Sequence, residues 1–183
     1  MYGKDSVMKE MNAIKKMTLS AMFLALGMVL PFFTGQIPQI GAMLCPMHIP
    51  VLLCGFLCGG NWGFIVGLIL PVLRSMLFSM PPMFPQAVCM AVELAMYGLV
   101  SGWLHTRLPK KTWSVYMALI GAMIIGRVFW GMAMFACFGL TGDSFGLAAF
   151  WAGAVVNAIP GIVLQVVLVP IIVLAVKRGQ KQE

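Results

Sequence analysis

The chain has 183 residues, of which 61% are hydrophobic and 9% charged, whereas a soluble domain carries about 25% charged residues. A mean hydropathy of +0.98 excludes a soluble globular domain and identifies an integral membrane protein. The net charge of +7 is explained by membrane topology and anionic headgroups, so no nucleic-acid partner is needed.

A spanning helix takes roughly 20 mainly apolar residues, so about six spans fill the chain and no separate soluble domain is expected. Apolar runs between turn residues predict spans at 17–34, 47–59, 62–80, 86–106, 113–138 and 147–176. The fold class is therefore all-α: one polytopic domain over 1–183 with six transmembrane helices, a cytoplasmic N-terminal segment at 1–16 and a cytoplasmic tail at 177–183.

Span one follows Lys15 and Lys16, as a signal peptide would, but no small-residue cleavage site follows it and it reads as a retained helix. Its "TLSAMFLALG" sets Ala21 and Ala25 four apart, on one helix face. The stretch "TGQIPQIGAMLCP" is rich in Gly and Pro and predicts a non-helical loop. Span two is short and opens at "CPMHIP", which puts His48 at its outer mouth. The "GGNW" that follows predicts a tight hairpin into span three.

Span three contains Arg74 within "LILPVLRSMLFSMPPMFP". Span four contains Glu93 and Tyr97 in "AVELAMYGLVSG", along with a small-residue face of Ala91, Ala95, Gly98 and Gly102 that predicts close packing without naming a partner. Span five carries Arg127 and Trp130, and span six carries Asn157. His105 falls in the basic loop between spans four and five and is given no role. The five cysteines lack CxxC pairing and read as buried thiols.

Basic residues fix the expected orientation. Lys4, Lys9, Lys15 and Lys16 precede span one; Arg107, Lys110 and Lys111 lie between spans four and five; Lys177, Arg178 and Lys181 follow span six. Six spans put these segments on one side, which the positive-inside rule makes the cytoplasm of a plasma-membrane protein with both termini inside. Only Arg74 and Arg127 remain, inside the spans.

An arginine within a bilayer costs a few kcal/mol or more and usually faces a bundle interior or a wet cavity. At 1.5 Å per residue, Arg74 lies about 9 Å below the outer end of its span, Glu93 about 11 Å, Arg127 about 17 Å and Asn157 about 15 Å. Four polar side chains from four helices thus gather in the outer half. One reading is a structural Arg–Glu pair with Asn157 bridging helices. The other is a ligand pocket open to the outside, where Glu93 neutralises one arginine and the second meets a carboxylate or phosphate. Trp130, Tyr97, Gln86 and His48 would supply stacking and hydrogen bonds around it.

The run "CPMHIPVLLCGFLCGGNWGFIVGLILPVLRSMLFSMPPMFPQAVCMAVELAMYGLVSGWL", with the upstream "TLSAMFLALGMVLPFF", resembles the substrate-binding S components of energy-coupling factor (ECF) transporters. The resemblance covers about residues 15 to 175 and is strongest from 43 to 104. It implies a six-helix subunit that captures a vitamin or related micronutrient from outside. The implied partners are a transmembrane coupling protein and two cytoplasmic ATPases. By the same resemblance, the AxxxA pattern at Ala21 and Ala25 contacts the coupling protein, the segment from Thr34 to Cys45 gates the site, and substrate lies in the outer half.

"MHIP" also opens the nickel and cobalt members, but here it is internal and lacks their free amine, so no metal or other cofactor is expected. No GxxxxGK[ST] occurs, which leaves ATP hydrolysis to partners. With one deep carboxylate, no deep histidine and no GxSxG, the chain is not expected to be an enzyme. A self-sufficient secondary transporter or channel is the alternative, although the inverted repeats common in such carriers are not evident. Two arginines against one glutamate favour an acidic or phosphate-bearing compound such as pantothenate or a flavin nucleotide. Neutral riboflavin and a nucleoside-like cobalamin precursor stay open.

Overall fold

The computed structural model describes residues 13–34, 45–109, 111–141 and 158–179. These residues form an all-α polytopic bundle: α1 Ala13–Val29, α2 His48–Cys58, α3 Gly60–Phe78, α4 Val88–Arg107, α5 Thr112–Thr141 and α6 Ile159–Gly179. Five of the six are long and apolar enough to cross a membrane. The exception, α2, has 11 residues, a rise of about 16 Å against a hydrocarbon core of about 30 Å. The part of the expected sixth span from 147 to 157 lies outside the described residues.

Local chemistry sets the ends of these helices. α1 tightens into a 3-10 turn over Leu30–Thr34. α2 stops at Gly59, whose φ of 106° suits a residue without a Cβ; the Gly59 N–H still donates to Gly55 O at 3.2 Å. α3 resumes at once, so the predicted hairpin is present. A wide turn over Met83–Ala87, where the Ala87 N–H donates to Pro82 O at 2.9 Å, leads into α4. Leu108 is extended before Pro109 and ends α4. Lys177 and Arg178 close α6, where cations complement the helix dipole.

α4 packs against α2, α3 and α5, while α2 touches α1, α3, α4 and α6. One apolar core joins Leu52, Leu53 and Phe56 of α2 to Tyr97 of α4, Leu119 and Met123 of α5, and Val169 and Val173 of α6. A second joins Val51 and Cys54 to Val66, Leu70 and Leu94, with Phe23 and Met28 of α1 against it. The small face of α4 now has a named partner: Gly63 backs on Gly98 and Gly67 on Leu94, and a Cβ on Gly63 would sit 2.7 Å from the Gly98 carbonyl oxygen.

Two backbones in contact cannot admit a branched side chain. Gly98→Val is expected to destabilise the bundle by on the order of 3 kcal/mol or more. A thermal melt of the detergent-solubilised protein checks this, and an unchanged melting temperature would mean that α3 and α4 can separate freely.

Candidate functional site

We call the end of the bundle that holds Ser79 and Ala87 the upper end. Because α2 is short, its first turn is sunk below that end. His48 is therefore 1% exposed, with its ring edge-on to Tyr97 at 5.2 Å between centroids. This corrects the expectation of an outer mouth: His48 does begin α2, but α2 begins inside the protein, at the level of Glu93 in α4's second turn. A positive φ of 46° at Cys45 and a 3.1 Å bond from the His48 N–H to Cys45 O shape the entry.

Glu93 is the centre of the polar group. Its Oε1 lies 3.2 Å from Arg127 Nη1 on α5 and 3.5 Å from His48 Nε2 on α2. Arg127 Nη2 also reaches Cys45 Sγ at 3.8 Å. The Glu93 and His48 side chains are each 2% exposed and that of Arg127 is 15% exposed, so the guanidinium is the most accessible member. Gly126 permits the assembly, since any Cβ there would enter the Tyr97 ring. Three helices thus deliver one anion, one cation and an imidazole to a single spot.

The group is incompletely satisfied. Arg127 Nε and His48 Nδ1 are buried without a hydrogen-bond partner among the described residues. Buried polar atoms are normally paired, and leaving one unpaired costs about 1–3 kcal/mol. A buried ion pair with open valences is also a weak source of stability. Such an arrangement suits a site that a polar guest completes.

A family model described as the ECF transporter substrate-specific component matches residues 15–173. The chain belongs to that family. No curated protein and no solved structure gave a significant match. It is accordingly a substrate-specific subunit of a transporter and a multi-pass membrane protein, in a family of transporter subunits rather than enzymes.

The S component brings together Glu93, Arg127, His48 and Tyr97. Arg74 does not join them, which corrects the expectation that it points toward Glu93. Its Nη1 donates to Met28 O of α1 at 2.6 Å, and its guanidinium stacks on Phe32 at 5.2 Å and Phe78 at 5.4 Å. The cause is helix register. Gly63 against Gly98 and Gly67 against Leu94 carry Arg74 to the level of Ala87, about 9 Å above Glu93 at 1.5 Å per residue. Leu70, one turn below Arg74, already packs on Gly27 of α1, so this face of α3 looks toward α1.

Trp130 is buried with Cys89, Met134 and Cys137 between α4 and α5, one turn above Arg127 on the same helix. Gln86 is exposed. Asn157 lies outside the described residues, as does most of the segment from Thr34 to Cys45. Ala21 and Ala25 are exposed, on the side of α1 away from Ser20, which meets Cys54, and from Gly27. All five cysteines are buried thiols.

Sequence reasoning passed over two polar residues. His105, assigned to the basic loop, is in the last turn of α4, buried against Phe56, with its Nε2 2.6 Å from Lys177 Nζ. Gln165 of α6 is 1% exposed. A lone amide in "GIVLQVVLVP" was the available signal.

Proposed function

We propose that this S component captures a vitamin or related micronutrient at the upper end of its six-helix membrane domain and delivers it inward together with an ECF coupling protein and two cytoplasmic ATPases. The observation that carries this reading is the buried Glu93–Arg127–His48 group with polar atoms still unpaired. Those residues can hold a small polar guest, and the chain's lack of a Walker motif calls for an external source of energy. The basic residues at the other end of the bundle support placing the upper end outside, with both termini cytoplasmic in the plasma membrane.

Charge at the site bears on the substrate. With Arg74 engaged elsewhere, one guanidinium faces one carboxylate, and the excess of positive charge that favoured an anionic guest is gone. The Glu93–Arg127 layer suits a neutral group rich in hydrogen-bond donors and acceptors, with Tyr97, Trp130 and the apolar core as walls. Arg74, above it, is accessible to an acidic substituent only if α1 releases it. Asn157 is retained as a candidate contact from the chain leading into α6.

Uptake decides between this reading and a self-sufficient carrier. Cells expressing the protein are supplied with radiolabelled vitamins, riboflavin and pantothenate among them, with and without ECF ATPase subunits. Accumulation only when the ATPases are present is the expected result; accumulation without them would mean that the chain transports alone.

The exposed Ala21 and Ala25 provide a second check. Leucine at both positions blocks the close approach that small residues allow, so co-purification with the coupling protein is expected to fall by about tenfold. Substrate binding by the purified subunit stays intact. Unchanged co-purification would move the docking surface elsewhere.

A further inference from the structure

α6 contributes no residue to the group around Glu93, yet it buries one polar side chain at the same height. Along α6, Gly161, Gln165, Val169 and Val173 recur every four residues and are all buried. Val169 and Val173 belong to the core shared with α2, α4 and α5, so this stripe faces the bundle interior and Gln165 faces it too.

The height of Gln165 follows from the lower end. Lys177 Nζ and His105 Nε2 are 2.6 Å apart, on two helices that run in the same direction. Counting twelve residues upward from each reaches Gln165 on α6 and Glu93 on α4, both about 18 Å above that contact at 1.5 Å per residue. The α5 partners agree: Val169 and Val173 share a core with Leu119 and Met123, and Arg127 lies one turn above Met123. Gln165 is therefore level with Glu93, Arg127 and His48.

Its amide oxygen has no hydrogen-bond partner among the described residues, in a side chain that is almost wholly excluded from the surface. An amide that served only to tie helices together would be bonded to one of them. We propose that Gln165 is the specificity residue contributed by α6: its Oε1 accepts a hydrogen bond from an N–H or O–H group of a neutral, heteroatom-rich substrate. The substrate's acceptors face Arg127 and His48. This assignment rests on the proposed substrate-capture reading and narrows it, because a site built to pair a donor rejects analogues that lack one far more strongly than an apolar wall does.

The test uses Gln165→Met, which keeps length and removes the acceptor. Wild-type and variant proteins are stripped of small molecules by dialysis in detergent and melted. Each is then incubated with a desalted methanol extract of the expression host's small molecules, and retained compounds are measured by mass spectrometry. The expected result is an equal or higher melting temperature for the stripped variant, with at least a tenfold fall in the compound that wild type retains. A lowered melting temperature would show that the amide is already satisfied within the protein and overturn the assignment, as would undiminished retention. Wild type retaining nothing would instead remove the capture reading itself, and this assignment with it.

Discussion

Glu93→Ala is expected to be the most damaging single substitution in the protein, costing about 3–5 kcal/mol, because it strands the Arg127 guanidinium in the interior without its carboxylate. The loss is of pairing rather than of volume. The double variant Glu93→Gln, Arg127→Met should therefore recover most of that stability, since replacing both members of a buried ion pair by well-packed neutral groups is often tolerated. Substrate retention should not recover in the double variant. Thermal melts of the two single variants and the double variant form a cycle that measures the pair directly. Additive effects would mean that the 3.2 Å contact between Glu93 and Arg127 carries no coupling.

Arg74→Ala is expected to behave in the opposite way. Its guanidinium ties the last turn of α1 to α3 through Met28 O and two aromatic rings. A hydrogen bond from a charged group is worth about 1.5–3 kcal/mol, and cation–π contacts add about 0.5–2 kcal/mol. The variant should melt several degrees lower yet keep substrate affinity within about threefold, in line with an interaction that stabilises fold and ligand-bound states equally. Loss of binding in a folded Arg74→Ala protein would return this arginine to the substrate site and favour an anionic guest after all.

The contrast between the two arginines shows what the sequence could and could not reveal. Hydropathy runs and Gly/Pro punctuation were enough for the helices, the short α2 and the hairpin at Gly59, because these depend on local composition. That Glu93 pairs with one of the two deep arginines was also legible, since a lone deep carboxylate has few candidates for a partner; that the partner is Arg127 and not Arg74 was not. Arg74 was misplaced because its depth was counted from the end of its own span. The true height is fixed by the fit of Gly63 to Gly98 and Gly67 to Leu94, a tertiary register that leaves no trace in hydropathy.

The same cause hid Gln165. Counting span six downward from 147 assigned the relevant depth to Asn157, whereas the Lys177–His105 contact measures α6 from its other end and assigns it to Gln165. His48 was seen as a residue but misjudged in setting: a helix of 11 residues cannot begin at the surface and still reach the hairpin. Each miss concerns height within the bundle; none concerns the class of fold.

If the buried Glu93 layer is where substrate rests, a structure of the protein loaded with the compound it retains tests that placement most directly. Ligand atoms are expected within hydrogen-bonding distance of Arg127 and Gln165, beside His48 and Tyr97. A ligand lodged instead against Arg74, with the Glu93 group closed on itself and no guest in reach, would contradict it.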